Sequence, residues 1–80
     1  MNSIHDILLE YWWRRDKDFS KIRVFYIHRG VKGDIKVIGG KDIQRINKSF
    51  MYLKEAQIPL HRIIKIEYDG REIFKKRFRR

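Results

Sequence analysis

Two histidines, each followed directly by an arginine, are the residues of this chain whose types best suit chemistry. One pair sits in Tyr26-Ile27-His28-Arg29-Gly30, the other in Ile58-Pro59-Leu60-His61-Arg62-Ile63. Histidine titrates near neutral pH, and arginine carries a permanent charge on a planar donor fork that matches phosphate oxygens. The two dipeptides therefore point to a phosphate-bearing partner. Two histidines and a cation can also cleave RNA, one imidazole taking the 2′-hydroxyl proton and the other protonating the leaving oxygen. Each residue also has a plainer role open to it. His28 shares a strand face with Val24 and Tyr26, where a half-buried structural histidine fits. His61 follows Pro59 near a strand start. Arg29 and Arg62 can pair with Asp34, Asp42 or Glu67 instead of phosphate. Gly30 and Gly33 flank the turn after His28-Arg29, whose amides can line an anion nest. His5 falls on a helix and reads as structural or solvated.

Further cations surround these pairs. Lys41, Arg45, Lys48 and Lys54 occupy the middle of the chain, and the tail Phe74-Lys75-Lys76-Arg77-Phe78-Arg79-Arg80 interleaves aromatics with charge. That pattern suits backbone neutralisation combined with base stacking. The alternative is that Phe74 packs in the core and the rest is a frayed charged end. Trp12 and Trp13 read as core rather than as a stacking platform. Over the whole chain 20 Lys and Arg face 10 Asp and Glu, a formal net charge of +10. Such an excess makes a polyanion the leading partner class, through counterion release on nucleic acid, although charge kept for solubility gives the same total.

Other chemistries lack their residues. There is no cysteine, which removes disulfides and thiolate metal sites and fits a reducing cytoplasm. Two histidines are too few for a metal centre, so no metal or cofactor is expected. P-loop, GxSxG, HExxH and paired-carboxylate patterns are missing. So are the HxT motifs of two-histidine phosphoesterases, since Arg29-Gly30 and Arg62-Ile63 follow the histidines. No apolar run reaches the roughly 20 residues of a membrane span, and no secretory signal pattern opens the chain. Few Asn, Gln and Met against many Ile, Lys and Arg lean towards a thermophile.

The elements that must position these residues follow from periodicity. Ser3 and Asp6 form a capping-box pattern ahead of a helix over about 3–14. Ile4, Ile7, Leu8, Tyr11 and Trp12 make its apolar stripe, widened by Leu9 and Trp13. Strands are expected over 22–29, 34–38, 49–53, 60–68 and 71–77. The first has apolar residues on both faces and reads as central. Asp69-Gly70 is a two-residue hairpin turn whose register sets Ile66 opposite Ile73 and Lys65 opposite Phe74. Residues 41–47 fit either a helical turn from Asp42 or an edge strand. Eighty residues make a single domain, 1–80, with a thin core. The class is α+β: an N-terminal helix packed on a bent, mainly antiparallel sheet of about five strands, for which a small barrel is one way to close.

The strings YIHRG (Tyr26 to Gly30), Gly33-Asp34, Ile38-x-Gly40-x-Asp42-Ile43, Phe50, IPLHRI (Ile58 to Ile63) and Gly70-x-x-Ile73-Phe74 resemble a small archaeal family, the RNA cyclic group end recognition domain. The likeness runs from about Ile4 to Arg77. It implies recognition of RNA ends bearing a cyclic phosphate, beside RNA-repair or RNA-processing proteins. It also implies a site made of His28, Arg29, His61 and Arg62, with Asp34. The leading expectation is a non-enzymatic, cytoplasmic RNA-binding module. In it the arginines hold the phosphate and the histidines donate to it or to ribose, while Lys41, Arg45, Lys48, Lys75, Lys76 and Arg77 track the backbone. RNA is favoured over DNA, and no membrane is involved. Against it stand a phosphodiesterase or ribonuclease using His28 and His61, a duplex-DNA architectural protein relying on charge alone, and a module whose basic face meets an acidic protein.

Overall fold

The computed structural model describes residues 3–28 and 34–76. Ser3 Oγ accepts from the Asp6 N–H at 3.1 Å and Asp6 Oδ2 accepts from the Ser3 N–H at 3.3 Å. This reciprocal box satisfies two donors that a helix start otherwise leaves unpaired, and it begins α1, Ile4–Trp13. Ile4, Ile7, Tyr11 and Trp12 pack against the core around fully buried Leu8. Trp13 does not join them. It is 75% exposed, because each helical residue turns about 100° from the last and Trp12 already faces inward. The expectation of a core role for Trp13 is therefore corrected.

A one-turn 3₁₀ segment, Phe19–Lys21, leads into β1, Ile22–Ile27. The remaining strands are β2 (Ile35–Gly39), β3 (Arg45–Ile46), β4 (Phe50–Tyr52), β5 (Gln57–Pro59), β6 (Ile63–Tyr68) and β7 (Arg71–Lys75). They form two antiparallel sheets, ordered β2-β1-β6-β7 and β3-β4-β5. The class is α+β, with β1 central as its two-sided apolar content requires. The strands divide between two sheets, and among the described residues no barrel closes. The inner faces of both sheets and α1 meet in one core, where Leu8, Ile22, Val24, Met51, Ile63 and Ile66 are fully buried.

The division falls at Pro59-Leu60. Residues 60–62, expected as strand, form a 3₁₀ turn whose Leu60 N–H donates to Ser49 O at 2.9 Å. Pro59 has no N–H to continue a ladder, so the chain leaves one sheet there and enters the other. The bend shifts the burial phase by one residue: Ile58 and Leu60 are buried before it and Ile63 after it, while His61 and Arg62 are exposed. Residues 41–47 combine both expectations: a 3₁₀ turn at Gly40–Asp42 and the short β3.

The final hairpin turns through Asp69 (φ 50°) and Gly70 (φ 83°), the positive pair that a two-residue turn between twisted strands requires. Tyr68 faces Arg71 and Glu67 faces Glu72, but a bulge then shifts the register. Ile66 pairs with Phe74 and Lys65 with Lys75, one residue off the expected partners. The extra residue on β7 keeps Phe74 beside the core, against which both it and Ile73 pack.

Candidate functional site

The inner face of β1 carries Ile22, Val24 and Tyr26, and the same alternation brings His28 to that side just beyond the strand end. The Tyr26 and His28 rings meet edge to face, centroids 6.2 Å apart. The His28 N–H donates to Asp34 O at 2.8 Å, which ties the strand end to the start of β2. Asp34 adopts φ 56°, a left-handed geometry that aspartate tolerates better than most residues. Lys36 pairs with Tyr26 across the β1–β2 ladder and so shares its face. The opposite wall comes from the second sheet: Gln57, Ile58 and Pro59 of β5, with Leu53 and Ala56 ahead of it. Arg62 completes the rim from the 3₁₀ turn. Together these residues enclose a recess of about 180 Å³ between the two sheets.

Its chemistry is uneven in a useful way. Two cations, an imidazole, an amide and a phenol face it, while Leu53, Ala56, Ile58 and Pro59 supply apolar walls. Among the described residues no carboxylate lines it. Tyr26 is nearly fully buried, and burial pushes its phenol above the usual value, so the hydroxyl stays protonated at neutral pH. Arg62 is exposed and makes no ion pair with Asp34, Asp42 or Glu67; Glu67 instead holds Lys65 at 3.0 Å. A volume below that of pockets for drug-sized ligands suits a phosphate and the edge of a sugar, not a large cofactor.

The expected residues divide accordingly. His28 and Arg62 come together. His61, one residue before Arg62, is exposed and does not line the recess; its carbonyl accepts from Lys76 Nζ at 2.7 Å. Arg29 and Arg77, with Gly30 and Gly33, lie outside the described residues. Lys41 lies in an adjoining open groove. Arg45 stacks its guanidinium 4.5 Å from the Tyr52 ring centre, and Lys48 is exposed in the bend before β4. Lys75 ends β7, opposite Lys65. Sequence reasoning missed Lys36, Tyr26 and Gln57. Lys36 carried a signal: it is the one charged residue within Ile35-Lys36-Val37-Ile38, on the parity that faces the core.

No helix among the described residues is long and apolar enough to cross a membrane, and no group of three or more metal-ligating side chains occurs among them. The sequence matches the MJ1316 RNA cyclic group end recognition domain over residues 1–76. A UPF0248 protein of Archaeoglobus fulgidus is 46% identical over 66 residues, covering 81% of this chain and 91% of that protein. One from Methanopyrus kandleri is 36% identical, covering 74% of this chain and 80% of that protein. One from Methanococcus maripaludis is 32% identical, covering 92% and 99%. No solved structure matches the chain significantly.

Proposed function

The chain belongs to the MJ1316 RNA cyclic group end recognition domain family, and from that premise we propose that it binds RNA ends bearing a cyclic phosphate in the recess between its two sheets. The observation that carries this reading is the convergence of His28, Lys36 and Arg62 on a small recess with apolar walls and no carboxylate. Arg62 holds the phosphate through its donor fork, Lys36 supplies the second charge, and His28 and Gln57 donate to phosphate or ribose oxygens. Arg29, from the same His-Arg pair as His28, joins the clamp on sequence grounds.

Charge alone does not select a cyclic end. A linear terminal phosphate carries about −1.5 to −2 at neutral pH, whereas a cyclic diester carries a single charge. Two free cations would favour the linear end. The apolar walls reverse the order, because the more heavily charged linear end must give up more of its water against Leu53, Ala56, Ile58 and Pro59. RNA is favoured over DNA because only a terminal ribose can close a 2′,3′ ring. Cleavage by paired histidines draws less support, since the recess is built with His28 but not His61.

The test is competition between short RNAs that differ only in their 3′ end: cyclic phosphate, linear phosphate or hydroxyl. The cyclic end should win, with the RNA intact afterwards. Equal competition by all three would refute end recognition, and cleaved product would move the site to the enzymatic reading.

A further inference from the structure

A second, larger groove of about 560 Å³ adjoins the recess and shares Lys36, Leu53 and Ala56 with it. It also carries Lys41 and Asp42 from the 3₁₀ turn, Gln44 after it, and Lys54 and Glu55 from the loop between β4 and β5. Three lysines and two carboxylates thus crowd one groove. Yet the ion pairs among the described residues are Arg14–Glu10, Arg14–Asp16 and Lys65–Glu67, none of them here. The five charges are left facing solvent.

A track for phosphates alone is poorly served by two acids, which repel the ligand. An RNA strand, however, presents acceptors and donors in alternation: phosphate oxygens, then ribose 2′-hydroxyls. Lysines suit the first and carboxylates the second. We infer that this groove receives the nucleotides preceding the RNA end. Lys36, Lys41 and Lys54 take their phosphates, while Asp42 and Glu55 accept from their 2′-hydroxyls. This rests on the reading that the end itself occupies the recess. It extends that reading by placing a second point of RNA-over-DNA choice upstream of the end. Lys36 belongs to both cavities and marks where the strand passes from one to the other. Arg45, committed to Tyr52, and Lys76, committed to the His61 carbonyl, are not needed for this track.

Three probes test it by calorimetry or fluorescence: a nucleoside 2′,3′-cyclic phosphate, an all-ribose trinucleotide with that end, and the same trinucleotide with deoxyribose at the two upstream positions. The cyclic ring needs only the terminal ribose, so all three share one end. The all-ribose trimer should bind about tenfold tighter than the deoxy chimera, the value of one or two hydrogen bonds to a charged acceptor. Asp42→Ala with Glu55→Ala removes both acceptors and should bring the two trimers together and leave the mononucleoside unchanged. Equal binding of the two trimers by the unaltered protein would overturn the inference. Each probe is also run beside its counterpart with a linear 3′-phosphate; if the cyclic ends were still preferred over these linear ones, the recess would stand. Loss of end preference in every probe would instead remove the recess reading.

Discussion

Gly40 offers the sharpest structural perturbation, because its surroundings leave no room for a side chain. A Cβ built there would sit 1.8 Å from the Phe19 carbonyl oxygen and 2.9 Å from its carbon. Real Cβ contacts stop near 3.0 Å, so the Phe19 backbone would have to retreat by about 1.2 Å, the difference between 3.0 and 1.8 Å. It is poorly free to do so. The Phe19 ring meets Trp12 edge to face with centroids 4.9 Å apart, and the turn is closed by Lys21 N–H donating to Asp18 O. Gly40→Ala should therefore cost about 3 kcal/mol, the upper part of the range for overpacked sites. For a chain of this size that is a fall in Tm of about 12 °C or more. Gly39→Ala is the control: its nearest foreign atoms lie at 4.0 Å, and its φ of −88° suits any residue. It should stay within about 0.5 kcal/mol of the parent. Paired thermal and urea melts decide the matter. A Gly40→Ala protein as stable as Gly39→Ala would show that the contact between the 3₁₀ turns is not as described. The same turn presents Lys41 and Asp42 to the groove, so stability and upstream RNA binding should fall together.

Three further outcomes follow from the packing and the site. Ile66→Ala, at a fully buried position in β6, should cost about 2–5 kcal/mol in denaturant melts; a cost below 1 kcal/mol would contradict its place in the core. Alkaline stability should depend on Tyr26. Its folded pKa is raised, so the folded state keeps its proton after the unfolded chain has lost it, and stability falls as pH climbs past about 10. Tyr26→Phe should flatten that limb in melts from pH 9 upward, and an unchanged limb would refute the burial argument. Arg62→Ala should weaken binding of cyclic-ended RNA about tenfold and leave binding of hydroxyl-ended RNA nearly unchanged. Equal losses for both ends, measured at two salt concentrations, would make Arg62 a general backbone contact.

The helix and its cap are legible in the sequence because Ser3, Asp6 and the apolar stripe act locally. The central position of β1 is legible because both its faces are apolar, and the hairpin because Asp69-Gly70 suits a turn with two positive φ angles. The bulges on β6, where Ile64 is the extra residue against β1, and on β7 are not legible, since a one-residue slip leaves the composition of each strand unchanged. The split at Pro59 is hidden for a related reason: buried residues resume at Ile63 right after the turn, and the one-residue change of phase between Leu60 and Ile63 looks in sequence like a bulge within one strand. At the site, the His-Arg dipeptides mark the neighbourhood, but only the strand pairing shows that Lys36 stands beside Tyr26. The structure also separates two neighbours that the sequence treats as one unit, setting Arg62 on the recess rim and His61 off it.

The most direct measurement is an NMR titration of the protein with a nucleoside 2′,3′-cyclic phosphate and, separately, with the matching 3′-monophosphate. The reading predicts saturable shifts confined to His28, Arg29, Lys36, Gln57, Arg62 and the Tyr26 ring, tighter for the cyclic ligand. Equal shifts from both ligands, or shifts spread over the surface lysines with the recess silent, would contradict it.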